Sequence, residues 1–314
     1  MGLLVNGEWR DKWYDTSTEG GRFKRQDSRF RNWVGEDEQF PAESGRYHLY
    51  VSMACPWAHR TLIFRQLKSL EDHISVSVVH PDMLANGWEF RQDDAQFKDD
   101  LFQLNFLYEL YLKADPDYEG RVTVPVLWDK KLNTIVNNES SEIIRMLNTS
   151  FNELTGNQQD FYPDALKQEI DDINERIYHT VNNGVYRCGF ATTQSAYEEA
   201  FDELFETLDW LDERLAKSAY LLGDQLTEAD WRLFTTLVRF DSVYHGHFKT
   251  NKKRIMDYEH LWDYVKALYQ YQDVASTVSM DQIKRHYYFS HTMINPTQVV
   301  PKGPDIPFLD PHHR

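Results

Sequence analysis

Cysteine is scarce in this chain: two in 314 residues, Cys55 and Cys188. Two cysteines do not make a disulfide framework. No stretch approaches 18 consecutive apolar residues, so no membrane-spanning helix is expected. The opening MGLLVNGEWRDKWYD turns polar after five residues, unlike a secretory signal, and the expected location is a reducing cytoplasm. A single Cys55–Cys188 bond stays open on paper but runs against that compartment. Positive charge is also short, with 34 Lys and Arg against 50 Asp and Glu, a net charge of −16. Nucleic acid and anionic membranes need clustered cations, so neither is an expected partner. An anionic small molecule needs only a local basic site and is not excluded. The 12 histidines show no HExxH or other metal-ligand spacing, so no metal is expected. Neither GEDEQF nor GDQLTE fits a phosphate loop.

Aromatics are abundant, with 9 Trp, 18 Tyr and 18 Phe. They suffice for a large core and for an aromatic pocket. A chain of 314 residues exceeds the usual single domain, so two domains are expected.

Residues 1–44 form a polar, aromatic-dotted arm in which GRFKRQDSRFRNWV carries five basic residues. The preferred reading is a solvated arm fastened by Trp9, Trp13, Phe23, Phe30 and Trp33, because charge runs are usually solvated faces. The sharper alternative is that its Arg and Lys draw in an anionic ligand.

Residues 45–150 read as α/β in the order β-α-β-insert-β-β-α. RYHLYV (46–51) and HISVSVVH (73–80) have strand character, with a helical pattern at Leu62, Ile63, Leu67 and Leu70 between them. A connection over 81–120 holds the helical segment LFQLNFLYELYL. VTVPVLWD (122–129) and NTIVNN (133–138) read as strands, and SSEIIRMLN as a helix capped by Ser140 or Ser141.

Residues 160–290 read as all-helical. Leu166, Ile170, Ile173, Ile177 and Val181 mark one helix that is expected to stop at Asn182-Asn183-Gly184. Tyr197 to Leu215 mark a second. Thr227 with Asp230 resembles a capping box opening a third, and YEHLWDYVKALYQY is a fourth. The proline-rich tail, 291–314, is expected to lie extended on the surface.

Three local signals bear on chemistry. Cys55, in VSMACPWAHR, sits where a strand turns into a helix. The free N–H groups there favour an anion, and the thiolate is the nucleophile. The plain alternative is a buried cysteine acting as a small hydrophobe. Ala58 stands where a dithiol motif would place its second cysteine. Second, VTVPVLW carries a proline inside a strand-like run, where it cannot donate to a ladder. Third, Glu139 and Ser140 lie just before a helix. There, helix N–H groups can hold a carboxylate and a Glu can hold an amino group. Taken singly, the second and third are an edge proline and a helix cap.

Together, CPWA, VPVLWD, ESSEI and an all-helical domain opened by LTEAD resemble a glutathione transferase. CPWAHR, GRFKRQDSRFRNWV, NGWEF and NNGVYRCGFA are more selective. They resemble the glutathionyl-hydroquinone reductases, the Xi class, over nearly the whole chain. The resemblance implies a thioredoxin-like domain, with a cis-proline at Pro125, followed by an α-helical one. It implies glutathione as co-substrate, glutathionyl-hydroquinones as substrates, and a homodimer. Cys55 would attack the glutathione sulfur, leaving a mixed disulfide that a second glutathione resolves.

By the same resemblance, Trp88 would pack on glutathione. Val124 would bind its cysteinyl backbone, Glu139 and Ser140 its γ-glutamyl end, and Arg121 a carboxylate. Tyr186 and Tyr287 would face the quinone, each able to donate to a ring oxygen as it gains charge. His59 and Cys188 are read as structural. Two rivals remain: an omega-like thiol transferase or dehydroascorbate reductase using the same cysteine, and a non-catalytic transferase-like interaction module.

Overall fold

The computed structural model describes residues 2–314. The chain divides into two compact units that are not contiguous in sequence. The first comprises the stretch through Trp13, Gln26–Gln159 and Thr277–Ser290; the second comprises Tyr14–Arg25, Asp160–Ser276 and His291–Arg314. The helical domain expected over 160–290 therefore loses its last helix to the first unit, and the expected arm is divided between the two.

The first unit is built on a four-stranded sheet in the order β4-β3-β6-β7. Its strands are β3 (Tyr47–Val51), β4 (Ser75–Val78), β6 (Val126–Asp129) and β7 (Thr134–Asn137). β3 pairs parallel with β4 and antiparallel with β6, and β6 pairs antiparallel with β7. Every residue of β3 is buried, so both faces are covered and strict alternation is not required. Helices α1 (Pro56–Leu67) and α3 (Ser140–Thr149) pack on one another. Arg46 donates from Nε to Asp129 at 2.9 Å and from Nη1 to Glu43 at 2.9 Å. The short α4 (Asn152–Thr155) ends at Gly156 in the left-handed region, a usual helix stop.

Two expected elements shift for identifiable reasons. The inserted helix α2 spans Leu107–Ala114 rather than starting near 101. The Glu109 carboxylate accepts the amides of Asn105 and Phe106, both at 2.8 Å, and sets the start there. Upstream, the Asp99 carboxylate gathers the amides of Leu101, Phe102 and Leu104 at 3.2, 3.0 and 3.0 Å, holding that stretch as a loop. The strand expected over 122–129 begins at Val126. Pro125 has no N–H to give, and the backbone at Thr123 is taken by the Tyr111 hydroxyl, which donates to the Thr123 carbonyl at 2.8 Å.

In the arm, β1 (Leu3–Val5) and β2 (Glu8–Arg10) form a small antiparallel sheet with β5 (Gly120–Arg121), in the order β2-β1-β5. Asn6 and Gly7 connect β1 and β2 with φ of 50° and 71°. A two-residue Asn-Gly loop with both φ positive is the favoured tight hairpin turn.

The second unit contains α5 (Lys167–Ile177), α6 (Gly184–Gly189), α7 (Gln194–Leu215), α8 (Glu228–Arg239), α9 (His245–His247) and α10 (Glu259–Gln270). The helix does not stop at Asn182-Asn183-Gly184. A π-helical turn over Tyr178–Asn182 carries the chain on into α6. The Asn182 amide donates to the Arg232 carbonyl at 3.1 Å and to Thr236 Oγ1 at 2.8 Å, so α8 satisfies a side chain that would otherwise favour a stop. A second π turn, Phe240–Tyr244, joins α8 to α9. The expected capping box is present: Asp230 accepts from the Thr227 amide at 2.8 Å and from its hydroxyl at 3.0 Å.

The tail has no regular element. It is anchored by Phe308, stacked on Tyr269 at 4.7 Å, and by Arg314, which donates to the carbonyls of Leu215, Ser218, Ala219 and His260.

The remaining helix, α11 (Met280–Ser290), belongs to the first unit. Arg285 grips Asp82 with Nε at 2.7 Å and Nη2 at 2.9 Å. His286 Nδ1 lies 2.8 Å from the Pro81 carbonyl, and Ser290 Oγ accepts the Met83 amide at 2.9 Å.

Candidate active site

Cys55 is the N-cap of α1, in extended conformation, with Pro56 at the first helical position. Its carbonyl accepts the first helical bond, from the His59 amide, at 3.0 Å. Proline fits there because its missing N–H would have had no intrahelical partner. Cys55 is 9% exposed, and its thiol donates to the Val124 carbonyl at 3.6 Å. The Val124–Pro125 bond is cis. Cys55 and Val124 are thus neighbours, though 69 residues apart in sequence.

Glu139, not a serine, caps α3. Its Oε1 accepts from the Ser141 amide at 3.1 Å and the Ser141 hydroxyl at 2.9 Å, while the arm's Ser28 hydroxyl donates to Oε2 at 3.3 Å. The expectation that Ser140 or Ser141 would cap this helix is corrected: the longer Glu side chain folds back onto the helix start. A carboxylate has about four acceptor positions, so these three bonds leave capacity for an ammonium. Ser140, buried at the first turn, lies 3.4 Å from Arg60 Nη1. Arg60 is itself buried on α1, with its guanidinium 4.6 Å from the Trp57 ring.

Trp88 is buried and stacks on His286, with centroids 4.8 Å apart and planes at 18°. The clasp between α11 and the 81–83 loop holds that stack. Asp82 is buried. Burial pushes its carboxyl up, but hydrogen bonds and charge from Arg285 outweigh that and its pKa falls below the usual range. Tyr287, next to His286, is 1% exposed. Arg121 is half-buried, and its guanidinium donates to the Lys12 carbonyl.

Of the sequence-derived residues, Cys55, Trp88, Arg121, Val124, Glu139, Ser140 and Tyr287 all lie in the first unit. Tyr186 is in the second, on α6. Its ring packs among Phe23, Phe190, Tyr244 and Phe248, with centroids 5.5–6.3 Å away.

The two residues read as structural behave so. His59 is fully buried and its Nε2 lies 2.7 Å from Thr277 Oγ1. Burial pushes the Cys188 thiol up to about 12, which keeps it protonated at physiological pH. Cys55 and Cys188 are both free thiols. Sequence reasoning missed Arg60, Asp82, Arg285 and His286. The readable signal was CPWAHR, which puts an arginine early in the helix capped by Cys55.

Among the described residues, no His, Cys, Asp or Glu cluster could hold a metal ion. Likewise among them, no helix is long and apolar enough to cross a membrane.

A family model described as the N-terminal domain of glutathione S-transferase matches residues 54–150, and one for the C-terminal domain matches residues 194–267. The glutathionyl-hydroquinone reductase YqjG of Escherichia coli is 55% identical over 100% of this chain and 98% of its own. The glutathionyl-hydroquinone reductase PcpF of Sphingobium chlorophenolicum is 55% identical over 98% and 97%. The glutathione-bound structure of YqjG superposes with a TM-score of 0.91 at 52% identity, covering 100% of this chain and 99% of that one. A Xi-class transferase from Natrialba magadii gives 0.92 at 50% identity, covering 99% and 96%.

Proposed function

The chain belongs to the glutathione S-transferase family, among the Xi-class glutathionyl-hydroquinone reductases, and from that we propose how its residues work. The enzyme takes glutathionyl-hydroquinones and glutathione, and releases hydroquinones and glutathione disulfide. The observation that carries this reading is a lone cysteine thiol at a helix start, 3.6 Å from the Val124 carbonyl.

The thiolate of Cys55 attacks the glutathione sulfur of the conjugate. A sulfur–sulfur bond forms, and the sulfur–carbon bond breaks with its electron pair passing to the ring. The ring takes up one proton and leaves as hydroquinone. A second glutathione thiolate attacks the glutathione sulfur of the mixed disulfide, forming glutathione disulfide and returning Cys55 as thiolate. With Ala58 in place of a second cysteine, no thiol three residues on competes for that adduct.

Ionisation of Cys55 releases the Val124 carbonyl, which then accepts the amide of the glutathione cysteine. Glu139 takes the γ-glutamyl ammonium on its spare oxygen position, and the Ser140 hydroxyl donates to the carboxylate. Trp88 packs against the tripeptide from its His286 stack. Arg121 supplies positive charge for a carboxylate. Tyr186 and Tyr287 donate to ring oxygens as charge builds there. The working form is a homodimer, and the compartment is the reducing cytoplasm, in keeping with two thiol cysteines.

The test incubates the protein with glutathionyl-menadiol and excess glutathione, following free menadiol and glutathione disulfide, beside Cys55→Ala. Turnover by the unaltered enzyme and none by the variant is expected. Equal turnover by both would overturn the thiol mechanism. A Cys55–glutathione adduct without menadiol release would favour an omega-like thiol transferase instead.

A further inference from the structure

We propose that Arg25, in the arm, is a positioning residue for Tyr186: its guanidinium holds the ring and polarises the phenol as a donor. The inference rests on the role given to Tyr186 above and adds the group that tunes it.

The Arg25 guanidinium carbon lies 5.1 Å from the Tyr186 ring centroid and 5.5 Å from that of Phe23. Its Nε donates to Asn183 Oδ1 at 2.9 Å. Asn183 and Tyr186 are three residues apart where the π turn meets α6, and each is 8% exposed. The cation is therefore fixed to the same turn that carries the phenol. Upstream, the segment is fastened as well. Arg22 grips Glu199 with Nε at 3.1 Å and Nη2 at 2.6 Å, and the Thr192 amide donates to the Gly21 carbonyl at 3.0 Å. Phe23 is buried, with its ring 5.4 Å from Phe190.

A planar guanidinium can stack on an aromatic face while one nitrogen keeps a hydrogen bond; an ammonium cannot do both. A cation over a phenol ring attracts the π electrons, and it favours the ionised over the neutral form. The O–H becomes a stronger donor and yields its proton more readily. This is the property needed as the carbon–sulfur bond breaks and charge moves onto the ring oxygens. Other titratable groups near Tyr186 include Tyr244, 6.0 Å away, and the histidines His247 and His291, which pack on Phe248. Arg187 on the same helix is turned to Glu203, with Nη1 at 2.5 Å. Arg25 is the cation over the ring face.

Arg25→Gln, Arg25→Lys, Tyr186→Phe and the Arg25→Gln/Tyr186→Phe double variant are assayed on glutathionyl-menadiol with glutathione, after melting curves. Arg25→Gln should lower kcat about tenfold with KM for glutathione unchanged, and Arg25→Lys should recover part of it. The alkaline limb of kcat should move up by about one pH unit in Arg25→Gln, since losing the cation makes the phenol harder to ionise. In the Tyr186→Phe background, Arg25→Gln should change nothing further.

Wild-type kinetics in Arg25→Gln would overturn the proposal. So would a raised KM with kcat intact, which would make Arg25 a ligand contact, or an equal loss in the Tyr186→Phe background. Full activity in Tyr186→Phe would overturn the reading of Tyr186 itself, a distinct result. If Arg25→Gln melts early, Arg25→Lys, which keeps the charge but loses the fork, supplies the same comparison.

Discussion

At the residue scale, the two cysteines show how position decides reactivity. Cys55 caps a helix, where free N–H groups stabilise a thiolate, whereas Cys188 is 2% exposed with its thiol pushed up to about 12. At pH 8 burial keeps Cys188 protonated. Brief treatment with iodoacetamide at pH 8 should give one adduct by intact mass and none in Cys55→Ala; a second adduct would contradict the assignment.

His48 offers a pH prediction. It is 1% exposed on β3, and burial lowers its pKa from 6.5 to about 4. The unfolded chain takes a proton near 6.5 while the fold resists until about 4. Its contribution is therefore intact above 6.5 and lost as pH falls through that window, by about 3 kcal/mol. Urea midpoints at pH 7, 5 and 4 should fall less steeply in His48→Gln than in the unaltered chain. Such a histidine was invisible in RYHLYV, where it reads only as one position of an alternating strand. Cys55 was legible because a strand, a lone cysteine and a proline fall in one short stretch. Arg60 and Asp82 were not, because their importance comes from partners 80 and 203 residues away.

At the element scale, helices with regular stripes were readable, and their ends were where local preference lost to tertiary partners. Asn182-Asn183-Gly184 looks like a stop, but α8 supplies acceptors for the Asn182 amide and the helix runs on as a π turn. Such turns often mark functional sites, and this one leads into the helix that carries Tyr186, proposed above to face the quinone. The Asn6-Gly7 hairpin carried its own sequence signal, a dipeptide with a strong turn preference, hidden by the lack of periodicity around it. At the other end of α6, Gly189 abuts Phe248, and an added Cβ would land on that ring. Phe248 is 5.5 Å from Tyr186. Gly189→Ala should cost about 1–3 kcal/mol by overpacking and also reduce turnover; an unchanged melting temperature would show that the ring can move aside.

At the scale of the whole molecule, the tail, expected to lie extended on the surface, is tied down at its end. Arg314 bridges the end of α7 and the start of α10 through four carbonyls. Its removal strands part-buried acceptors, so Arg314→Ala should destabilise the second unit by about 1–3 kcal/mol in thermal unfolding. Light scattering at working concentration should give the mass of a dimer, and a monomer would contradict the proposed assembly. The two-part organisation was foreseeable from length and from the switch of periodicity near residue 160. That α11 returns to the first unit was not foreseeable, because its periodicity matches its helical neighbours and contacts with Pro81, Asp82 and Met83, distant in sequence, assign it.

That return makes the enzyme a poor candidate for simple cut-and-paste recombination. A chimera exchanging residues 1–159 with a distant relative would import one parent's loop at Asp82 and keep the other's Arg285, His286 and Tyr287. The inherited block is discontinuous: three pieces of chain travel together or not at all. Exchange of shuffled fragments between homologues should therefore succeed only when 277–290 accompanies 26–159, whatever the overall similarity of the parents.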